Sequence, residues 1–139
     1  MELHPYTRRV HYYETDQMAI VHHSNYIRWF EEARLDYLDQ IGLNYRAMEE
    51  RGIIIPVVDV SCKYLNSARY DDLLEITPIL TQYTGVCLGF RYEVRFQTAG
   101  ELCATGTSTH CFLDLDRKPI SLKRKAPELH TLFTELIEV

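Results

Sequence analysis

The residues best equipped for chemistry lie in one stretch, His11-Tyr12-Tyr13-Glu14-Thr15-Asp16-Gln17-Met18-Ala19-Ile20-Val21-His22-His23-Ser24-Asn25-Tyr26. Asp16 follows a run rich in β-branched and aromatic residues, and a short apolar segment separates it from the polar cluster at His22 to Asn25. That order puts a carboxylate in a loop between a strand and the mouth of a helix. A helix N-terminus carries N–H groups without intrahelical partners and the positive end of the macrodipole, so it suits a developing oxyanion. A carboxylate beside it has the minimum equipment for acyl transfer. It can attack a carbonyl to give a mixed anhydride, or take a proton from water as the water attacks. Spacing alone leaves open that Asp16 is a turn or capping residue.

The neighbouring residues carry alternatives of their own. His11, His22, His23 and Asp16 include ordinary ligands for a divalent metal, but adjacent histidines rarely point at one centre, and no metal is expected. His23 contributes either its side chain or only its backbone. Asn25 caps a helix or orders the loop, and Tyr26 begins a buried stripe. His110, on a strand beside Phe112, reads as a core or interface histidine.

The elements that must position these groups follow from periodicity. Tyr6 to Tyr13 reads as a first strand. Ser24 or Asn25 is placed to cap a helix in which Tyr26, Phe30, Ala33, Tyr37 and Ile41 share one face, flanked by Trp29 and Leu38, while Arg28, Glu31, Glu32, Asp36 and Asp39 take the other. Gly42 is a natural stop, and a shorter helix from Asn44 to Arg51 ends at Gly52. The period then becomes two. Val58, Val60, Cys62 and Tyr64 alternate with Asp59, Ser61 and Lys63, which predicts one buried and one wetter face. Leu74, Ile76 and Leu80 form a second such strand, in which Pro78 implies an edge or a bulge. Leu88, Phe90, Tyr92, Val94 and Phe96 form the next, and Ala99-Gly100 turns it into a long strand over Glu101 to Leu115. Pro127, Leu129, Leu132, Phe133, Leu136 and Ile137 read as a closing amphipathic helix. The expected class is α+β, with an antiparallel sheet of about five strands wrapped around the long helix. Its uncovered edges predict at least a homodimer, with a homotetramer also compatible.

With 139 residues, 46% of them hydrophobic, the chain has material for one core, and residues 1–139 read as one domain. A formal charge of -5 opposes general nucleic-acid binding, so any anionic ligand must meet a local basic patch. Cys62, Cys87, Cys103 and Cys111 lack C-x-x-C spacing and read as buried reduced thiols. Neither a signal sequence nor a transmembrane run is recognisable, which predicts a cytoplasmic protein.

The run from Tyr13 through Asp16 to Tyr26 resembles the signature of 4-hydroxybenzoyl-CoA-type hotdog thioesterases, including the bacterial Tol-Pal-associated acyl-CoA thioesterases. Ala68-Arg69-Tyr70-Asp71-Asp72 and Gly89-Phe90-Arg91-Tyr92 extend the likeness over nearly the whole chain. The resemblance implies a hotdog fold and hydrolysis of an acyl-CoA without cofactor. Asp16 then matches the catalytic carboxylate, and His23 supplies its backbone N–H to the thioester oxygen. His22, Asn25 and Tyr26 are candidate substrate contacts. Two positions depart from the pattern: Ala19 stands where glycine is common, and His22 where an aromatic residue is common. The anionic nucleotide end of such a substrate needs cations. Arg69, Arg91, Arg95, Lys118 and the concentrated trio Lys123, Arg124 and Lys125 are the candidates, each otherwise a solvated surface charge. Asp71 and Asp72 are expected to be structural. Two other functions fit the same fold. Dehydration of 3-hydroxyacyl thioesters is disfavoured because Glu31, Glu32 and Asp36 face away from the apolar stripe. A weakly catalytic module that binds acyl chains or an acyl-carrier protein is opposed by the presence of Asp16.

Overall fold

The computed structural model describes residues 2–137. In chain order the elements are β1 (Tyr6–Arg9), α1 (Ser24–Gln40), α2 (Tyr45–Glu50), β2 (Val57–Tyr64), β3 (Leu73–Tyr83), β4 (Cys87–Phe96), β5 (Leu102–Cys111), α3 (Leu122–Lys125) and α4 (Pro127–Leu136). The strands make one antiparallel sheet in the order β1-β3-β4-β5-β2. Helix α1 lies on its inner face, with Tyr26, Trp29, Phe30, Ala33, Tyr37 and Leu38 buried as the stripe predicts. The Phe30 ring stacks on Tyr92 at 4.4 Å. Gly106 makes this approach possible, because any side chain there would collide with the Phe30 ring and the Ser61 carbonyl. The result is the hotdog arrangement, a long helix wrapped by a curved sheet.

Several expectations need correction. The first strand stops at Arg9, and Tyr12–Glu14 forms a single 3-10 turn instead of continuing it. The Glu14 carboxylate accepts the His11 N–H at 2.7 Å, and this local bond competes with the ladder. Neither Ser24 nor Asn25 caps α1; the cap position is His23. Asn25 lies inside the helix, where its Nδ2 donates to the carbonyls of Glu14 and His22. Gly42, at φ +85, does end the helix region, and Asn44 caps α2 by accepting from the Ala47 N–H. Strand β5 ends at Cys111 rather than Leu115, because Asp114 accepts from the N–H groups of Asp116 and Lys118 and turns the chain. Pro78 pairs with Tyr92 on one side and lies beyond the last β1 pairing, at Ile76, so its missing donor faces an open edge.

Strand β2 departs most from its pattern. Val60, Cys62 and Tyr64 do share the inner face with their partners Ser108, Gly106 and Ala104. Yet every residue of β2 except Cys62 is exposed, since β2 is an edge strand that α1 covers only in part. Of the four cysteines only Cys103 is fully buried, and all four are free. No helix among the described residues is long and apolar enough to cross a membrane.

Candidate active site

The loop that carries Asp16 is built around the carboxylate of Glu14, which is 3% exposed. It accepts Arg8 Nη1 at 3.0 Å and the His11 N–H at 2.7 Å on one oxygen, and Arg8 Nη2 at 2.8 Å and Trp29 Nε1 at 2.9 Å on the other. The Glu14 carbonyl accepts the His22 N–H and the Asn25 amide. One residue thereby ties β1, the loop and α1 together. Between these anchors the chain makes a tight turn, with the Ala19 N–H on the Asp16 carbonyl and the Asp16 N–H on the Ile20 carbonyl, both at 2.9 Å. Ala19 sits at φ 62, a left-handed conformation that glycine adopts without strain.

The Asp16 side chain is partly exposed, and its Oδ1 accepts the Met18 N–H at 2.8 Å. Its other oxygen has no partner among the described residues. At the start of α1, the Ser24 N–H is taken by His22 Nδ1 and the Asn25 N–H by the His22 carbonyl, whereas the His23 N–H finds no acceptor among the described residues. Tyr64, at the end of β2, donates its hydroxyl to the His23 carbonyl at 2.9 Å and fixes this first turn from across the sheet. Asp16, His23, Tyr26, Tyr64, Asn66 and Ser67 line one cavity of about 180 Å³. Burial pushes the Tyr64 hydroxyl up to about 12 and the Cys103 thiol up to about 11, so neither is an acid or nucleophile near neutral pH. Burial also raises the Tyr26 hydroxyl, which contacts Cys103 Sγ at 3.8 Å.

Among the residues singled out from sequence, the cavity thus brings together Asp16, His23 and Tyr26. Asn25 stands behind it as the loop anchor. His22 is exposed, hydrogen-bonded to Ser24 Oγ and stacked on His23 at 4.1 Å, and it does not line the cavity. Arg69 is exposed beside Tyr70, which borders a wide, shallow cleft on the other side of Asp16. Asp71 and Asp72 shape this loop: Asp72 accepts the Arg69 N–H, and Asp71 pairs with Arg9 at 3.2 Å. Arg91 and Arg95 are both engaged by Glu93. Arg91 borders a groove with Lys63 and Thr107, away from the Asp16 cavity. Lys123, Arg124 and Lys125 form α3, and Lys125 packs beside Gly52, also away from Asp16. Lys118 lies in the turn after β5. Glu14, Tyr64, Asn66 and Ser67 were missed by sequence reasoning. A carboxylate within an aromatic run and six residues from Arg8 is the one local signal that could have marked Glu14.

The family model of the thioesterase-like superfamily matches residues 10–132. The chain is 34% identical to the "Putative acyl-CoA thioesterase YneP" of Bacillus subtilis, over 89% of this chain and 90% of that one. Among solved structures, a DHNA-CoA thioesterase from Staphylococcus aureus is 34% identical and superposes with a TM-score of 0.89, covering 94% of this chain and 87% of that one. A hypothetical protein from Thermus thermophilus is 30% identical with a TM-score of 0.88, over 96% and 99% of the two chains. Sequence and fold agree, and the chain belongs to the thioesterase-like superfamily.

Proposed function

We propose that this protein hydrolyses an acyl-CoA thioester to a carboxylic acid and coenzyme A, with Asp16 as nucleophile or general base. The observation that carries the mechanism is that Asp16 and His23 line one cavity, while one Asp16 oxygen and the His23 N–H have no partner among the described residues. A thioester carbonyl between them meets an attacking carboxylate, or the water it activates, and a donor for the oxygen that becomes negative. The leaving group is a thiolate, which needs little help to depart. The relatives named as acyl-CoA and DHNA-CoA thioesterases support the substrate class. Free cysteines throughout are in keeping with action in the reducing cytoplasm.

The same reading includes a homodimer. Val57, Val58, Val60 and Tyr64 leave an apolar edge strand exposed, with one side of its backbone unpaired. A two-fold axis through the middle of β2 pairs it antiparallel with itself. Val57 of one copy then lies opposite Tyr64 of the other, so each Asp16 cavity borders the first residues of β2 of its neighbour. Release of thiol from a panel of acyl-CoAs tests the activity, and Asp16→Asn tests the mechanism. The substitution keeps size but removes the anion, so turnover should fall by ~10² or more with KM little changed. Near wild-type turnover on the best substrate would refute the assignment.

A further inference from the structure

A second cavity, of about 280 Å³, lies between α1 and the first residues of β2. Leu38, Tyr45, Ile55, Pro56, Leu88 and Phe90 give it apolar walls. Arg34 lines it as well, and also lines a smaller adjoining cavity that reaches Ser108. This guanidinium is partly buried, yet it makes no ion pair among the described residues. Its one hydrogen bond runs from Nη1 to the Tyr92 hydroxyl at 3.2 Å. The Tyr92 hydroxyl meets Ser108 Oγ at 2.6 Å, and Ser108 Oγ meets His110 Nε2 at 2.8 Å.

The direction of this buried chain follows from its first member. Arginine only donates, so Tyr92 accepts from Arg34 and donates to Ser108, and Ser108 donates to the His110 Nε2 lone pair. The imidazole is neutral, its proton on Nδ1, since burial and then the Arg34 charge hold its pKa down to about 4. Nδ1 itself is buried without a hydrogen-bond partner among the described residues. The chain therefore holds Arg34 at one nitrogen and leaves its other four N–H donors free. The nearby Glu31 carboxylate is exposed and forms no ion pair with it. A positioned cation with unused donors, on a cavity whose walls are apolar apart from the unpaired Glu31, is equipped to meet an oxygen of a bound group.

We propose that the acyl group bound by this protein carries an oxygen, as hydroxyl or carboxylate, at the end remote from the thioester, and that Arg34 of the neighbouring copy recognises it. The inference rests on the thioesterase reading and on the β2 pairing, which sets this cavity of one copy beside the Asp16 cavity of the other. A cavity of roughly 150 Å³ holds benzene, so about 280 Å³ admits one or two rings or an aliphatic group of similar bulk. Arg34 is a specificity residue in this scheme, and Tyr92 positions it.

The test compares kcat/KM within matched pairs: 4-hydroxyphenylacetyl-CoA against phenylacetyl-CoA, and adipyl-CoA against hexanoyl-CoA. The first pair reads a hydroxyl and the second a carboxylate. Wild type should favour the oxygenated member of at least one pair by about 10- to 100-fold, the size of a hydrogen bond to a charged group. Arg34→Met should bring that ratio to about 1. Tyr92→Phe retains the ring stacked on Phe30 and should lower the ratio several-fold, chiefly through KM of the oxygenated member. Sedimentation and thermal melts establish that each variant remains folded and assembled, with Arg34→Leu as replacement should Arg34→Met fail. A wild-type ratio near 1 in both pairs, or a preference that survives in the Arg34 variants, overturns the inference while leaving thioester hydrolysis intact. Absence of hydrolysis of every acyl-CoA removes the functional reading itself, and this inference with it.

Discussion

Glu14→Gln tests whether one buried carboxylate holds the catalytic loop. The carboxylate takes two donors on each oxygen, from Arg8 twice, His11 and Trp29, and is almost fully buried. Glutamine fills the same volume, but one end becomes an NH2 group that faces two donors. Whichever way the amide turns, two hydrogen bonds are lost and one set of buried donors is left without an acceptor. Bonds to charged groups contribute about 1.5–3 kcal/mol each, and breaking a buried pair costs about 3–5 kcal/mol. Arg8 retains Glu32 at 2.9 Å, which argues for the lower end, about 3 kcal/mol. For a chain of this length that corresponds to a fall in Tm of about 10–15 °C. Urea unfolding of both proteins at pH 7 and equal protomer concentration gives the difference directly. Arg8→Met and the double variant complete a cycle whose coupling should exceed about 1 kcal/mol. A Glu14→Gln protein within about 0.5 kcal/mol of wild type would show that the clamp contributes no more than a surface pair.

Three further perturbations have defined outcomes. His110 takes a proton near pH 6.5 when unfolded but only near about 4 in the fold, because of burial and then the Arg34 charge. Between those values the unfolded chain binds more protons, so stability is complete above about pH 6.5 and about 3 kcal/mol of it is lost by pH 4. Urea midpoints across this range should slope less in His110→Gln, and parallel slopes would sink the assignment. Ala19→Gly removes the strain of a left-handed alanine, about 1–2 kcal/mol, against a smaller gain in unfolded-state entropy, so a net stabilisation of about 0.5–1 kcal/mol is expected. A destabilised variant in the same urea assay contradicts that. Val60→Lys places a charge on the exposed edge of β2 and should halve the sedimenting mass at micromolar concentration, with loss of activity. A wild-type monomer with full activity, or an intact Val60→Lys dimer, refutes the proposed pairing.

What the sequence determined by itself is what side-chain period and near neighbours can encode. The stripe from Tyr26 to Leu38 names the buried face of α1, and the alternation Leu88, Phe90, Tyr92, Val94 names the inner face of β4. That Asp16 and His23 come to line one cavity was foreseeable, because they are seven residues apart on a short loop that leads into a helix. Periodicity is blind to which strands become neighbours. It marked Val60 and Tyr64 as one apolar face, and only the order β1-β3-β4-β5-β2 made that face an exposed edge. The same order brings the Tyr64 hydroxyl to the His23 carbonyl across 41 residues of chain. Packing of α1 on the sheet similarly turns Trp29 onto Glu14 and connects Arg34 to Tyr92, Ser108 and His110. Such contacts depend on the closing of long loops, so a local reading of residue types cannot contain them.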